Sequence, residues 1–484
     1  MVGENGRQVL VCINCKLRKK KCDKVQPQCG YCTRKKLACR YQSSTDAPLN
    51  VVQRPDPTAS SPLIQSSLLL SSTLSEVLAS EPKTTDSMVY LQVLRIIRAT
   101  GQYVDDVTAR YFRGIHSFVL VISRPRFYDQ LIKSEAPPPG FSILLLSMCL
   151  ITDHVDLRPR DAGTIDQETL YLATKTLFAH VQASSSPSLH LIQAGIIVAS
   201  YEYSSERLQE AFATVAVCAR LGYAIGLNKA KPARGMDQSS YQQAEEEANT
   251  WWGILITERT VLCELSDFTI PLSTSMPSAD AQLPSDPSTT DVDINLIFPS
   301  NLSPDKGQPL DDAGGFACVA QGALLLDQVI SAFQIADADA RLNRLNGLHH
   351  ALRTVLGTVL EQSNHAMGAY CTANSLLIRT MYLLHWHILH HASRMTTFKY
   401  KSQEEWCRSS SAALDTATKM VEDIAVSQNI YSFHMMDGLP SSCRYLLRAA
   451  IEHIDREYAD ADAGIWNRGQ IQTSLHKFDY RWGR

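Results

Sequence analysis

Residues 12–39 read CINCKLRKKKCDKVQPQCGYCTRKKLAC, and the rest of the chain is interpreted outward from this stretch. Its cysteines, Cys12, Cys15, Cys22, Cys29, Cys32 and Cys39, fall twice over as C-x2-C-x6-C, a short internal repeat. C-x2-C pairs at this density in a non-secreted chain point to zinc ligation rather than disulfides. Structural zinc takes four thiolates in a tetrahedron. One zinc would leave two cysteines idle, and two separate zincs would need eight. Six suffice for two zincs when two sulfurs serve both metals. Six thiolates against two dications make a net anion, so nearby cations favour the deprotonated thiols. Lys16, Arg18, Lys19, Lys20, Lys21 and Lys24 supply them around the first half, and Arg34, Lys35, Lys36 and Arg40 around the second. Pro27 stands in the gap, where a fixed φ suits a tight connection.

Charge separates this head from the remainder of the chain. The whole chain holds 46 Lys+Arg against 49 Asp+Glu. Residues 1–41 hold 11 and 2, leaving 35 and 47 for the remainder. A basic head on an acidic body implies that the head carries any affinity for nucleic acid.

The stretch resembles the DNA-binding domain of fungal six-cysteine binuclear zinc cluster transcription factors, on all six cysteines, the basic run after the second and the loop proline. The resemblance implies two Zn2+ per chain, with Cys12 and Cys29 bridging. It also implies a short helix in each half, the first entering the major groove over a CGG-like triplet. By position Arg18 and Lys19 fall on base edges, which suits the reach of Arg and Lys to guanine O6 and N7. Lys16, Lys20, Lys21, Lys24, Arg34, Lys35 and Lys36 then lie near phosphates, where they position without reading sequence.

Residues 42–86 change composition, with Ser, Thr, Pro and Asp prominent in QSSTDAPLNVVQRPDPTASSP, and read as a flexible linker. Leu63, Leu68, Leu69, Leu70, Leu74, Val77 and Leu78 do not sustain the a/d spacing of a coiled coil. Homodimerisation, by this segment or by the body, stays open. From about Ser87 the pattern is helical. Leu208, Phe212, Val215, Ala219 and Gly222 share one face, and Gly226 is placed to end their helix. In EEEANTWWGILITERTVLCEL (245–265) the glutamates suit a helix start and the apolar remainder a buried helix. Further helices are expected near 319–345, 366–395, 405–427 and 440–458, with a Pro- and Asp-rich loop over 271–313. The longest apolar run, FSILLLSMCLI (141–151), is too short to span a bilayer. The polar N-terminus lacks an apolar signal region. The isolated Cys149, Cys218, Cys263, Cys318, Cys371, Cys407 and Cys443 read as small buried hydrophobes in a reducing compartment.

Residues from roughly 105 to 300 resemble the middle homology region of the same factors, an all-α regulatory domain. The resemblance rests on YFRGIHSFVLVISRPRFYDQ, AFATVAVCARLGYAIGLN and WWGILITERT. Glu258-Arg259 stands where the family often has Asp-Arg, and Leu265-Ser266-Asp267 near an expected Gly-Arg-Pro element.

Four other constellations carry a sharper and a plainer reading. His387 and His391, in a run with His385 and His390, share a helix face and could hold a metal, though no further ligand sits at a suitable offset. Trp251 and Trp252 could line a ligand pocket, but core packing is favoured. Glu258 and Arg259, as sequence neighbours, are expected to pair with other helices rather than with each other. The acidic stretch 451–464 reads as the solvated face of a helix more than as an activation surface. No G-x-S-x-G, P-loop, H-E-x-x-H or post-strand G-x-G-x-x-G is present, so an enzyme is not expected.

The fold expected is mostly α: a zinc head over 1–41 (cluster 12–39), a linker over 42–86, an all-α regulatory region over 87–300 and a C-terminal helical region over 301–484. The expected function is a nuclear, sequence-specific RNA polymerase II transcription factor controlling a metabolic, including secondary-metabolite, gene set. KLRKKK and TRKK would also serve nuclear import. The implied partners are double-stranded DNA, the transcription machinery and a small-molecule effector, with no membrane. The competing readings are a metabolite-binding or enzymatic α-domain with a zinc appendage, and an adaptor whose zinc module binds protein.

Overall fold

The computed structural model describes residues 15, 20–25, 28–35, 61–79, 85–133, 135–154, 164–233, 235–265, 267–277, 281–285, 314–363, 369–392, 400–458 and 466–483. The chain divides into two compact units, Met1–Ser61 and Pro62–Arg484. Among its described residues the first carries a short helix, α1 (Gly30–Arg34), and Cys15 is helical as well. The second is helical throughout its regular structure, and the described residues contain no strand longer than a single bridge position.

The body opens with α2 (Pro62–Ala79), α3 (Thr85–Ala99), α4 (Val104–Arg113) and α5 (Arg124–Lys133). Part of the stretch expected as linker, residues 62–79, is therefore helical: α2 packs on α3 and on α7 (Gln167–Ser184). Its half-buried Leu69 and Leu70 face the core, and Gln65 accepts from Thr169 Oγ1 at 3.1 Å. Residues 42–60 lie outside the described residues. Composition alone missed this helix because its serines bond back into the helix, as Ser66 Oγ to Leu63 O (2.9 Å) and Thr73 Oγ1 to Leu70 O (3.0 Å) do.

The core begins with α6 (Pro139–Thr152), buried from Gly140 to Thr152, with proline in its first turn. A helix apolar on every side belongs inside. It packs along α8 (Leu189–Ser204), which packs on α9 (Leu208–Ala224). Gly195 permits that last approach: a Cβ there would stand 2.3 Å from Cys218 Sγ. The face predicted for α9 holds, with Val215, Ala219 and Gly222 buried and Leu208 and Phe212 half-buried against the core. Gly226, at φ +79°, follows the helix end in the left-handed region.

Helix α10 (Gln238–Glu264) starts seven residues before the predicted glutamates. Asp237 caps it, accepting from Ser240 N at 3.1 Å. Glu246 thus falls two turns in and is buried, where it receives Ser123 N (3.0 Å), Arg126 Nε (2.7 Å) and Gln193 Nε2 (3.0 Å). The helix expected over 319–345 is two, α11 (Gly315–Phe333) and α12 (Ala338–Ser363), because Asp337 caps a new start through Ala340 N (2.8 Å). Helix α11 is long and apolar enough to cross a membrane by composition, but it is packed against α10, α12 and α13 (Ala369–Ala392). Next come α14 (Tyr400–Asn429), α15 (Ser442–Glu457) and α16 (Arg468–Trp482).

The C-terminal helices close on the first half of the body. Tyr445 stacks on Tyr203 (4.5 Å) and donates to its carbonyl (2.7 Å), and Arg444 Nη1 donates to Ser204 O (3.0 Å). Arg481 Nη2 donates to Ile151 O at 2.9 Å, which covers the open end of α6. All these helices share one hydrophobic core.

Candidate zinc centre and nucleic-acid interface

Among its described residues, the first unit buries sulfur. Its buried cluster is Cys15, Cys29 and Cys32, each 0% exposed, with Cys22 and Tyr31 packed against them. With cysteines as the buried cluster among the described residues, so small a unit draws on a metal for folding energy.

Local structure places each sulfur. Cys29 precedes α1 with extended backbone, and its Sγ accepts from Cys32 N at 3.4 Å. Thr33 Oγ1 returns to Cys29 O at 3.1 Å. Cys32 lies one helical turn on, so both sulfurs face the same side. Cys15 Sγ comes from the other half of the repeat, 3.6 Å from Cys29 Sγ, well beyond the ~2.05 Å of a disulfide. The sulfurs of Cys15, Cys29 and Cys32 lie within 4.8 Å of one another. A second group, Cys22, Asp23 and Cys29, meets the same limit, so Cys29 belongs to both. A soft, buried, thiol-dominated donor set matches zinc. Cys12 and Cys39 lie outside the described residues.

Asp23 is the residue that sequence reasoning missed. Its carboxylate accepts the Gly30 N–H through both oxygens (2.8 and 3.0 Å), tying the first half of the repeat to the start of α1. A Cβ at Gly30 would sit 2.5 Å from Asp23 Oδ2, so a side chain there would displace the carboxylate. Lys24 follows at φ +60°, turning the chain toward the second half. An Asp beside one cysteine and a Gly beside another were the available signals, but nothing local links residues seven apart outside a helix.

Lys20, Lys21, Lys24, Arg34 and Lys35 are all exposed. Lys16, Arg18, Lys19, Lys36, Arg40 and Pro27 lie outside the described residues.

The body's candidate sites resolve differently. His385 is buried and bonded to Ser410 Oγ (3.1 Å) and His349 Nδ1 (3.0 Å), while His387 stacks on Phe333 at 3.9 Å. No three metal-capable side chains converge at these histidines among the described residues. Burial lowers both His385 and His387 to about 3, so they serve as neutral packing groups. Trp251 and Trp252 are 6% and 4% exposed, as core packing predicts, yet they also border a cavity.

The expectation for Glu258 and Arg259 needs correcting. Arg259 Nη1 lies 2.7 Å from Glu258 Oε2, and both bond Thr274. Arg259 Nε also reaches Asp327 of α11 at 3.0 Å. The long arginine folds back because Thr274 gives both side chains a common partner. In the acidic stretch, Asp455 is held by two bonds from Arg468 (2.9 Å each) and Glu452 pairs with Arg456, as on a solvated face. Residues 459–465 lie outside the described residues.

Comparison with known proteins agrees with this arrangement. The profile of the fungal Zn(2)-Cys(6) binuclear cluster domain matches residues 10–48. That of the fungal specific transcription factor domain matches residues 108–331. Transcription factor BOA15 of Botryotinia fuckeliana is 32% identical over 149 residues, covering 30% of this chain and 78% of that protein. Regulator of drug sensitivity 1 of Saccharomyces cerevisiae is 48% identical over 42 residues, 9% of this chain and 5% of that protein. No solved structure matches at a significant level. The binuclear cluster domain implies two zinc ions, DNA binding and a nuclear site of action. With a sulfur-lined head and a helical body matched in turn by the two domains, the chain belongs to the fungal zinc cluster transcription factors.

Proposed function

We propose that the head reads a CGG-like triplet in double-stranded DNA, with Arg18 and Lys19 on base edges. Lys16, Lys20, Lys21, Lys24, Arg34, Lys35 and Lys36 hold phosphates. Cys12, Cys15, Cys22, Cys29, Cys32 and Cys39 ligate the two zincs, Cys12 and Cys29 serving both. The observation that carries this reading is Cys29: its sulfur belongs to two donor groups, beside cations that stand free of the buried sulfur cluster. When bound, zinc holds the two halves of the repeat together and fixes how their cations are presented. The chain acts by binding rather than turnover. Its helical body is a regulatory part that responds to a small-molecule effector and engages the transcription machinery. Its targets are a metabolic gene set, secondary-metabolite genes among them.

Two substitutions separate base readers from phosphate holders. Lys19→Ala relaxes preference for a CGG duplex over a scrambled one, at a cost of ~1–3 kcal/mol in discrimination. Lys36→Ala weakens both duplexes alike and lowers the salt slope by roughly 0.9. Anisotropy titrations of the zinc-loaded chain at several salt concentrations measure both. Equal, sequence-independent losses would remove Lys19 from the base edge.

A further inference from the structure

A cleft of about 80 Å³ opens where segment 118–121 and helices α8, α10 and α11 meet Thr372 of α13 and Pro440–Ser442 at the start of α15. Here the part of the body matched by the family profile faces the C-terminal helices. The floor is apolar, with Val119, Leu120, Val121, Ile196, Ile256 and Val319 all buried. A Cβ at Gly253 would stand 2.3 Å from Val121 Cγ1, so its absence lets segment 118–121 lie close on α10. Gln193 Nε2 (2.7 Å) and Thr250 Oγ1 (3.2 Å) donate to Val121 O and hold the segment down.

The rim carries hydroxyls. Ser200, Thr257, Thr260, Thr372 and Ser442 are half-buried around the floor. No Asp, Glu, Lys, Arg or His stands among the described residues of the lining. Ser200 Oγ directs its proton to Ile196 O (2.8 Å), and Thr257 Oγ1 directs its own to Gly253 O (2.7 Å). A hydroxyl bonded back into its helix in this way keeps lone pairs to accept with. The cleft therefore suits an apolar chain end and, at the rim, a neutral donor. A charge placed there would lose its hydration with no counter-charge to offset the loss. The volume is about half of the ~150 Å³ that accepts benzene, so the floor takes roughly three or four aliphatic carbons and not a ring.

We infer that this cleft is an effector site for a small, uncharged aliphatic alcohol. Its chain end seats on the floor, and its hydroxyl donates to Ser200 or Thr257. The inference deepens the reading of the body as regulatory and rests on it. Two hydroxyl pairs already join the walls, Ser204 with Ser441 (2.7 Å) and Ser375 with Ser442 (2.6 Å). A bound ligand tightens this seam, which ties α8 and α13 to the start of α15.

Calorimetric titration of the full chain with isoamyl alcohol, isovalerate and isoamylammonium tests the site, since these probes share a branched chain and differ in head group. The alcohol binds, at a roughly millimolar Kd for so small a ligand, and the two ions do not. Thr260→Phe fills the cleft from its rim and abolishes binding. Ser200→Ala together with Thr257→Val removes the acceptors and weakens the alcohol about fivefold. Tryptophan fluorescence and thermal midpoint confirm that each variant is folded. Equal binding of all three probes, no heat from the alcohol at ~20 mM, or indifference to either set of substitutions would overturn the site. A reporter gene and DNA affinity, measured with and without isoamyl alcohol, separate the two layers. Binding that changes neither refutes the regulatory role while the ligand site stands. A reporter response that survives Thr260→Phe places the effector elsewhere and overturns this assignment.

Discussion

At Cys29 two donor groups meet, and one side chain there can be tested against its neighbour. Cys29 and Cys32 are both fully buried and sit one turn apart, but only Cys29 also stands within reach of Cys22 and Asp23. Under the proposed ligation, Cys29→Ser releases both zincs, whereas Cys32→Ser disturbs one. Zinc release titrated with a chromophoric chelator gives the stoichiometry directly. A Cys29→Ser chain that retains two zincs would remove the shared role. The six-cysteine repeat was legible because ligand spacing is local. The Asp23–Gly30 tie was not, because it depends on a turn through Lys24 at positive φ that no spacing reveals.

Among the elements, α10 shows best where pattern reading succeeds and where tertiary contacts override it. Its apolar centre was recognisable, but its start was set by the Asp237 cap rather than by the glutamate run. Glu246 could be buried only because Ser123, Arg126 and Gln193 arrive from distant segments. The same helix carries the buried Glu258–Arg259 pair, 0% and 1% exposed. Glu258 also receives Ser273 N at 2.6 Å and Thr274 N at 3.2 Å. Removing the arginine leaves a buried carboxylate without its counter-charge, which costs about 3–5 kcal/mol. Urea unfolding of Arg259→Leu, followed by tryptophan fluorescence, is expected to show a loss of that size. A loss below ~1 kcal/mol would mean that the pair contributes little to holding 273–274 on α10.

At the scale of the whole molecule, the basic head and acidic body were evident from charge alone, and the all-α body from its periodicity. The ordering of Pro62–Ala79 within a Ser- and Leu-rich stretch was not, since its support comes from α3 and α7. The body also holds buried and half-buried histidines in the neutral form. His116 and His190 are lowered to about 4, and His385 and His387 to about 3, in each case first by burial and then by a neighbouring arginine or histidine. Unfolded histidine titrates near ~6.5, so the contribution is complete above that value. Below it the unfolded chain takes up protons first, and stability falls as pH drops from ~6.5 toward about 4. Glu245 and Glu246, raised by burial, oppose this, but as two groups against four. All six tryptophans lie beyond residue 250, so their fluorescence follows the body alone. The fluorescence-detected thermal midpoint is expected to fall steadily below pH ~6.5. A flat profile down to pH ~4.5 would contradict the buried-histidine account.

The central claim is that this chain, once loaded with zinc, reads DNA sequence through its head. An unbiased DNA selection on the full chain, with two bound zincs verified and the bound pool sequenced, tests it most directly. The account predicts enrichment of CGG-like triplets that disappears on chelation, in pairs at fixed spacing if the chain dimerises and singly if it does not. A zinc-loaded chain that enriches no sequence would contradict it.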